Sequence, residues 1–149
     1  RDAVHRAKYV ADWHTPLLLQ AALARFIDEG GFARHLRRVR DVYSERHALL
    51  VQCLSEEFGD RMEVWPSTNG LHLAAVARDA GPDEVARWAD RATAAGVGVQ
   101  RLGMFRIQRE PPPGFALAYG AIASRDIQEG VTLLRECRRG PGRARRHET

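Results

Sequence analysis

Met62–Val76, MEVWPSTNGLHLAAV, is where the chain changes its period. Met62-Glu63-Val64-Trp65 reads as a strand, short and rich in apolar side chains. Pro66 stops it, since proline has no N–H to give to a ladder. Asn69-Gly70 is a turn dipeptide, and Leu71–Val76 is a second extended run. The two runs predict an antiparallel hairpin joined by a loop.

Upstream the period is helical. Ala3–Trp13 reads as a helix that breaks near His14. Thr15 is placed to cap the next helix, with Pro16 at its first position. Leu17, Leu19, Ala22, Leu23 and Phe26 form its stripe, and Gly30-Gly31 ends it. Phe32 opens a long helix to about Phe58. Phe32, Leu36, Val39, Tyr43, Leu50, Leu54 and Phe58 keep one apolar face, which suits a helix lying across a sheet. Arg34, Arg37, Arg38 and Arg40 fall mostly off it.

Downstream, Gly81-Pro82 starts a helix over Asp83–Ala95 with Val85, Trp88, Ala89 and Ala92 inward. Asp83 and Glu84 suit the positive end of its dipole. Val97–Val99 reads as a short strand, Gly103–Gly114 as an irregular loop and Phe115–Tyr119 as the last strand. Ser124 caps a final helix, roughly Arg125–Cys137, with Ile127, Val131 and Leu134 inward. The expected fold is α/β: a small, mostly antiparallel sheet with helices packed on it.

The composition excludes several classes. Hydrophobic residues make up 44% and charged residues 28%, ordinary for a soluble globular protein, and the chain is long enough to bury a core. No apolar run approaches the roughly 20 residues of a membrane span, and no signal peptide is visible. The chain opens in helix without an initiating Met, so a fragment of a longer polypeptide is expected. Cys53 and Cys137 fit no metal spacing and read as free thiols, which suits the cytoplasm. No phosphate loop, dinucleotide fingerprint or nucleophile elbow is present. The six histidines form no ligand pattern. The paired acids Glu56-Glu57 and Asp83-Glu84 read as solvated, and the three tryptophans as core or interface anchors.

The basic end, RECRRGPGRARR at Arg135–Arg146, reads as disordered, with residues 139–149 as the tail proper. Nucleic acid is a possible partner for it; without it the remainder is near neutral and carries no DNA footprint. His72 stands out on the second strand. Leu71 and Leu73 point one way and His72 the other, toward a cleft or as an ordinary structural histidine.

Several stretches carry a resemblance. His14–Leu50, HTPLLLQAALARFIDEGGFARHLRRVRDVYSERHALL, is similar to the C-terminal part of MocR-type transcription regulators. So are NGLHLAAV at Asn69–Val76, AAGVGVQRL at Ala94–Leu102 and LAYGAIASRDIQEGVTLL at Leu117–Leu134. Gln20, Ala21, Ala22, Phe26, Gly30, His35, Arg37, Arg38, Tyr43 and Arg46 carry most of the pattern. The resemblance covers nearly all of the chain up to Arg138.

The resemblance implies a parent protein in two parts. An N-terminal winged helix of the GntR type reads DNA, and a domain similar to a fold-type-I aminotransferase binds pyridoxal phosphate and senses an amine or vitamer. The parent is expected to be a homodimer, with no membrane contact. This chain then corresponds to the end of the second part. Residues 1–31 are helices leaving the large subdomain, 32–138 the connecting helix and small C-terminal subdomain, and 139–149 the tail. The winged helix and the large subdomain lie elsewhere in the parent.

Two departures follow from the same resemblance. Pyridoxal phosphate is held through a lysine, and of the 23 basic residues only Lys8 is a lysine. It sits in the helix that follows the cofactor site in the family. Related aminotransferases also place a carboxylate-clamping arginine in the last strand, where this chain has Ala116. Arg106 or Arg109 in the adjacent loop are possible substitutes. No catalysis and no stable cofactor adduct are expected of this chain alone. Turn and loop positions make Asn69, Gly70 and His72, with Met104 and Phe105, the expected lining of the effector pocket. An aminotransferase fragment and a free-standing interaction module are the alternative readings.

Overall fold

The computed structural model describes residues 2–12, 16–67, 70–105 and 111–138. Contacts divide the chain into two units, residues 1–41 and 42–149.

The first unit is helical. Helices α1 (Asp2–Asp12) and α2 (Leu17–Asp28) precede α3 (Gly31–Phe58), whose first residues complete the unit. Pro16 is the residue before α2 rather than its first residue; Thr15, the expected cap, lies outside the described residues, as do Trp13 and His14. Between α2 and α3, Gly30 adopts a φ of 72°, a backbone state that glycine enters without Cβ strain. Arg25 pairs with Glu29 at 2.6 Å across one turn. The stripe expected on α2 is present but open: Leu17, Leu18 and Leu19 are 79%, 85% and 66% exposed, and no residue of α2 is buried.

The second unit holds the core. The latter part of α3 leads through a 3-10 turn at Gly59–Arg61 into strand β1 (Met62–Val64). Strand β2 (His72–Ala77), helix α4 (Pro82–Ala94) and strand β3 (Gln100–Arg101) follow. A second 3-10 turn, Leu102–Phe105, precedes strand β4 (Gly114–Ala118) and helix α5 (Ser124–Arg138). All three strand pairings are antiparallel, in the order β1-β2-β4-β3. The expected hairpin is there, with Met62 opposite Ala77 and Val64 opposite Ala75.

Alternation along the strands makes two faces. Met62, Leu73, Ala75, Ala77, Phe115 and Leu117 form the inner face. Leu50, Cys53, Leu54 and Phe58 of α3 pack into the same core. So do Val85, Trp88, Ala89 and Ala92 of α4 and Ile127, Val131 and Leu134 of α5, the residues expected inward. Trp88 is the centre: its ring meets Phe115 edge-on at 4.8 Å, and its Nε1 donates to the Leu134 carbonyl at 2.7 Å. Burial pushes the Cys53 thiol above its ordinary pKa, and Glu56 and Glu57 push the same way.

Two sequence expectations need correction. Val97–Val99 is not a strand. The Val97 N–H is taken by the Ala92 carbonyl at the end of α4, and pairing with β4 begins only at Gln100. The basic end does not start its disorder at Arg135, because α5 runs to Arg138. Arg135 pairs with Glu57 at 2.8 Å and Arg138 with Asp79 at 2.7 Å. Arg91 of α4 donates to the Cys137 and Arg138 carbonyls, satisfying acceptors a helix end leaves open. Residues 139–149 lie outside the described residues.

Gly130 sits inside α5 beside a small apolar cavity of about 70 Å³ lined also by Leu50, Ile122 and Val131. A Cβ there would meet only Ile122 Cδ1, at 4.0 Å. Gly130→Ala should therefore stabilise the chain by about 1 kcal/mol, the helix-propensity difference, read from urea unfolding midpoints.

Candidate functional site

The middle of the sheet's outer face is built from small residues. Ala74 lies opposite Ala116, and Gln100 lies opposite Ala116 from the other side. β2 and β4 thus set a floor with little side chain on it, and β3 adds Gln100 at its edge. Trp65 follows β1 and is held by its N–H to the Ala74 carbonyl at 2.9 Å. It rises on one side and Phe105, from the 3-10 turn after β3, on the other; they are 44% and 57% exposed. His72 opens β2 and faces the same space. The result is a groove of about 580 Å³ lined by Trp65, Ser67, His72, Ala74, Gln100, Phe105 and Ala116 among others.

The chemistry available is specific. Two aromatic faces can pack against a ring or an alkyl chain. His72 and Gln100 each carry both donor and acceptor capacity. Ala116, at the position where the resemblance implies an arginine, offers a methyl group to the floor and no hydrogen bond. Arg106 and Arg109 lie outside the described residues.

The five residues expected to line a pocket part company. His72 and Phe105 meet in this groove. Met104, next to Phe105, lines a separate groove of about 250 Å³ with Pro82, Val85, Arg101 and Pro111–Pro113. Gly70 is exposed, with a φ of 94°, and its carbonyl accepts a hydrogen bond from the Tyr119 hydroxyl at 2.8 Å. Asn69 lies outside the described residues. Sequence reading missed Trp65, Gln100 and Ala74. The one signal for them was the alternation that puts Trp65 and Ala74 on the His72 face.

Other features offer less. A pocket of about 450 Å³ is lined by Glu57, Arg61, Arg135 and Arg138, of which Glu57 pairs with Arg135, and Arg138 pairs with Asp79. Among the described residues no group of three or more His, Cys, Asp or Glu could hold a metal ion. Cys53 and Cys137 are free. No described helix is long and apolar enough to cross a membrane.

No family model matches the chain. Among curated proteins it is 38% identical over 123 residues to the "Probable rhizopine catabolism regulatory protein MocR" of Rhizobium meliloti, over 82% of this chain and 24% of that protein. It is 29% identical over 116 residues to the HTH-type transcriptional regulator YhdI of Bacillus subtilis, itself uncharacterized, again over 24% of that protein. The chain thus spans about a quarter of the length of these relatives.

Solved structures place the fold. The α-aminoadipate aminotransferase LysN of Thermus thermophilus, complexed with a phosphopyridoxyl-leucine adduct, superposes with a TM-score of 0.74 at 25% identity, over 91% of this chain and 35% of that one. The kynurenine aminotransferase of Pyrococcus horikoshii superposes with a TM-score of 0.77 at 21% identity, over 89% of this chain and 32% of that one. By sequence the chain is a relative of the MocR-type HTH transcription regulators, and by fold it is the C-terminal part of a fold-type-I aminotransferase-like domain.

Proposed function

We propose that this chain is the closing part of the effector-sensing domain of a MocR-type regulator, and that the groove over Ala74 and Ala116 is its share of the effector pocket. The observation that carries the reading is the groove's position: it opens on the sheet face opposite the one on which the described helices of the second unit pack, with His72 and two aromatic rings turned into it. Pyridoxal phosphate is the cofactor of the full-length protein in this reading, and it supplies an aldehyde that an amine effector can engage.

This chain does not fit the role of holding that cofactor by itself. Its one lysine, Lys8, is exposed on α1 and belongs to the first unit, whereas the groove belongs to the second. No lysine occurs from residue 42 onward. The anchoring amine and the phosphate contacts then come from residues outside this chain. What the chain supplies is shape and hydrogen bonding: aromatic walls that exclude water, and His72 and Gln100 to orient a bound amine. The open Val4 and Val10 of α1 and the open leucines of α2 fit the same reading as a face for the large subdomain. Contact with DNA belongs to a winged helix elsewhere, and the full-length protein is a homodimer.

The test uses the full-length product of the same gene, loaded with pyridoxal phosphate and titrated with primary amines with and without a carboxylate. His72→Ala should keep the cofactor's visible absorbance while weakening the response to the best amine about tenfold, or about 1.4 kcal/mol. An unchanged response would remove the groove from the pocket. A reading frame with neither a winged helix nor an upstream cofactor lysine would end the regulator reading.

A further inference from the structure

The entry of β2, where His72 turns into the groove, is held from below by one buried side chain. Tyr119 is 4% exposed. Its hydroxyl donates to the Gly70 carbonyl at 2.8 Å, and its own N–H donates to the Leu71 carbonyl at 2.9 Å. The two residues immediately before His72 are therefore both tied to Tyr119. Its ring is fixed in turn by α3: His47 meets it edge to face, with centroids 5.5 Å apart. The following residue, Gly120, presents its carbonyl to Arg46 Nη1 of the same helix at 2.6 Å. The Arg46 Nε is buried and has no hydrogen-bond partner among the described residues.

Resting on the groove reading above, we propose that Tyr119 is a positioning residue for the groove. It touches no lining residue's functional group, but it fixes the backbone on which His72 is presented. A freely moving 70–71 segment would let the imidazole sample several directions, whereas two hydrogen bonds on consecutive carbonyls leave one. The phenol hydroxyl is the specific element, because phenylalanine would keep the ring, the His47 contact and the backbone bond.

The experiment compares Tyr119→Phe with Tyr43→Phe in the 149-residue chain by NMR. Tyr43 lies one turn from Arg46 and stacks under its guanidinium at 5.9 Å. Its hydroxyl has no hydrogen bond among the described residues, so it controls for loss of a phenol oxygen in this region. In Tyr119→Phe the backbone amide at position 119 should exchange about fivefold faster, the scale of one hydrogen bond. The His72 ring resonances should also move and broaden, while the α4 and α5 signals stay in place. In Tyr43→Phe neither should change. Unchanged His72 resonances in Tyr119→Phe, or equal changes in both variants, would overturn the proposal. The readout needs no effector, so its failure is separable from failure of the groove reading, which shows only in the His72→Ala titration.

Discussion

Gly114→Ala should cost about 3 kcal/mol, seen as a large drop in the urea midpoint with little change in slope. Gly114 begins β4 opposite Val76. A Cβ there would run into the Ala75 carbonyl oxygen and stand 2.8 Å from the Val76 Cα. Those are backbone atoms of the neighbouring central strand, with no rotamer to give way. The chain must part β2 from β4 at this point, where the Ala77 N–H also bonds the Pro113 carbonyl at 2.8 Å. Among the described strands β3 pairs with β4 alone, so the loss reaches Gln100 and the groove floor. Gly114→Val should be worse. A midpoint within experimental error of the parent would mean that β4 enters the sheet differently.

Trp88→Ala should cost about 4 kcal/mol, the range for removing a buried tryptophan. The side chain is 1% exposed, lies among Phe58, Phe115 and Leu134, and bridges α4 to β4 and α5. Its removal opens a cavity and leaves the Leu134 carbonyl without this donor. Trp88→Phe keeps one aromatic ring in the core while losing the hydrogen bond and part of the packing, and should cost less, about 2 kcal/mol. Equilibrium unfolding followed by far-ultraviolet circular dichroism reads both. Against the 5–15 kcal/mol typical of a domain, the alanine variant leaves the second unit marginal at best. Equal costs for the two variants would show that packing at Trp88 contributes little.

The hairpin, α4 and α5 were legible because their signals are local. Asn69-Gly70 marks a turn wherever it stands, and the spacing of Val85, Trp88, Ala89 and Ala92 defines a face without reference to any partner. β3 was not legible. Val97-Gly98-Val99 has strand composition, but the Val97 amide had already been claimed by Ala92, and only the distant β4 decides where pairing begins. The groove was half legible for a related reason. Alternation turned His72 outward, yet its neighbours Gln100 and Ala116 arrive through a sheet order that does not follow the chain. Met104 and Phe105 show the limit: adjacent in sequence, they face different grooves because a 3-10 turn carries them around its axis.

The edges of the sheet have a consequence for how this chain meets others of its kind. β1 and β3, the two outer strands, are three and two residues long, and Glu63 on β1 carries an ion pair with Arg78 at 3.1 Å. So short a ladder gives an incoming strand almost no backbone to read. The folded second unit is therefore a poor seed for cross-β growth. The apolar surface this chain leaves open lies instead on the bare leucines of α2, a side-chain surface with no free backbone edge to template a strand.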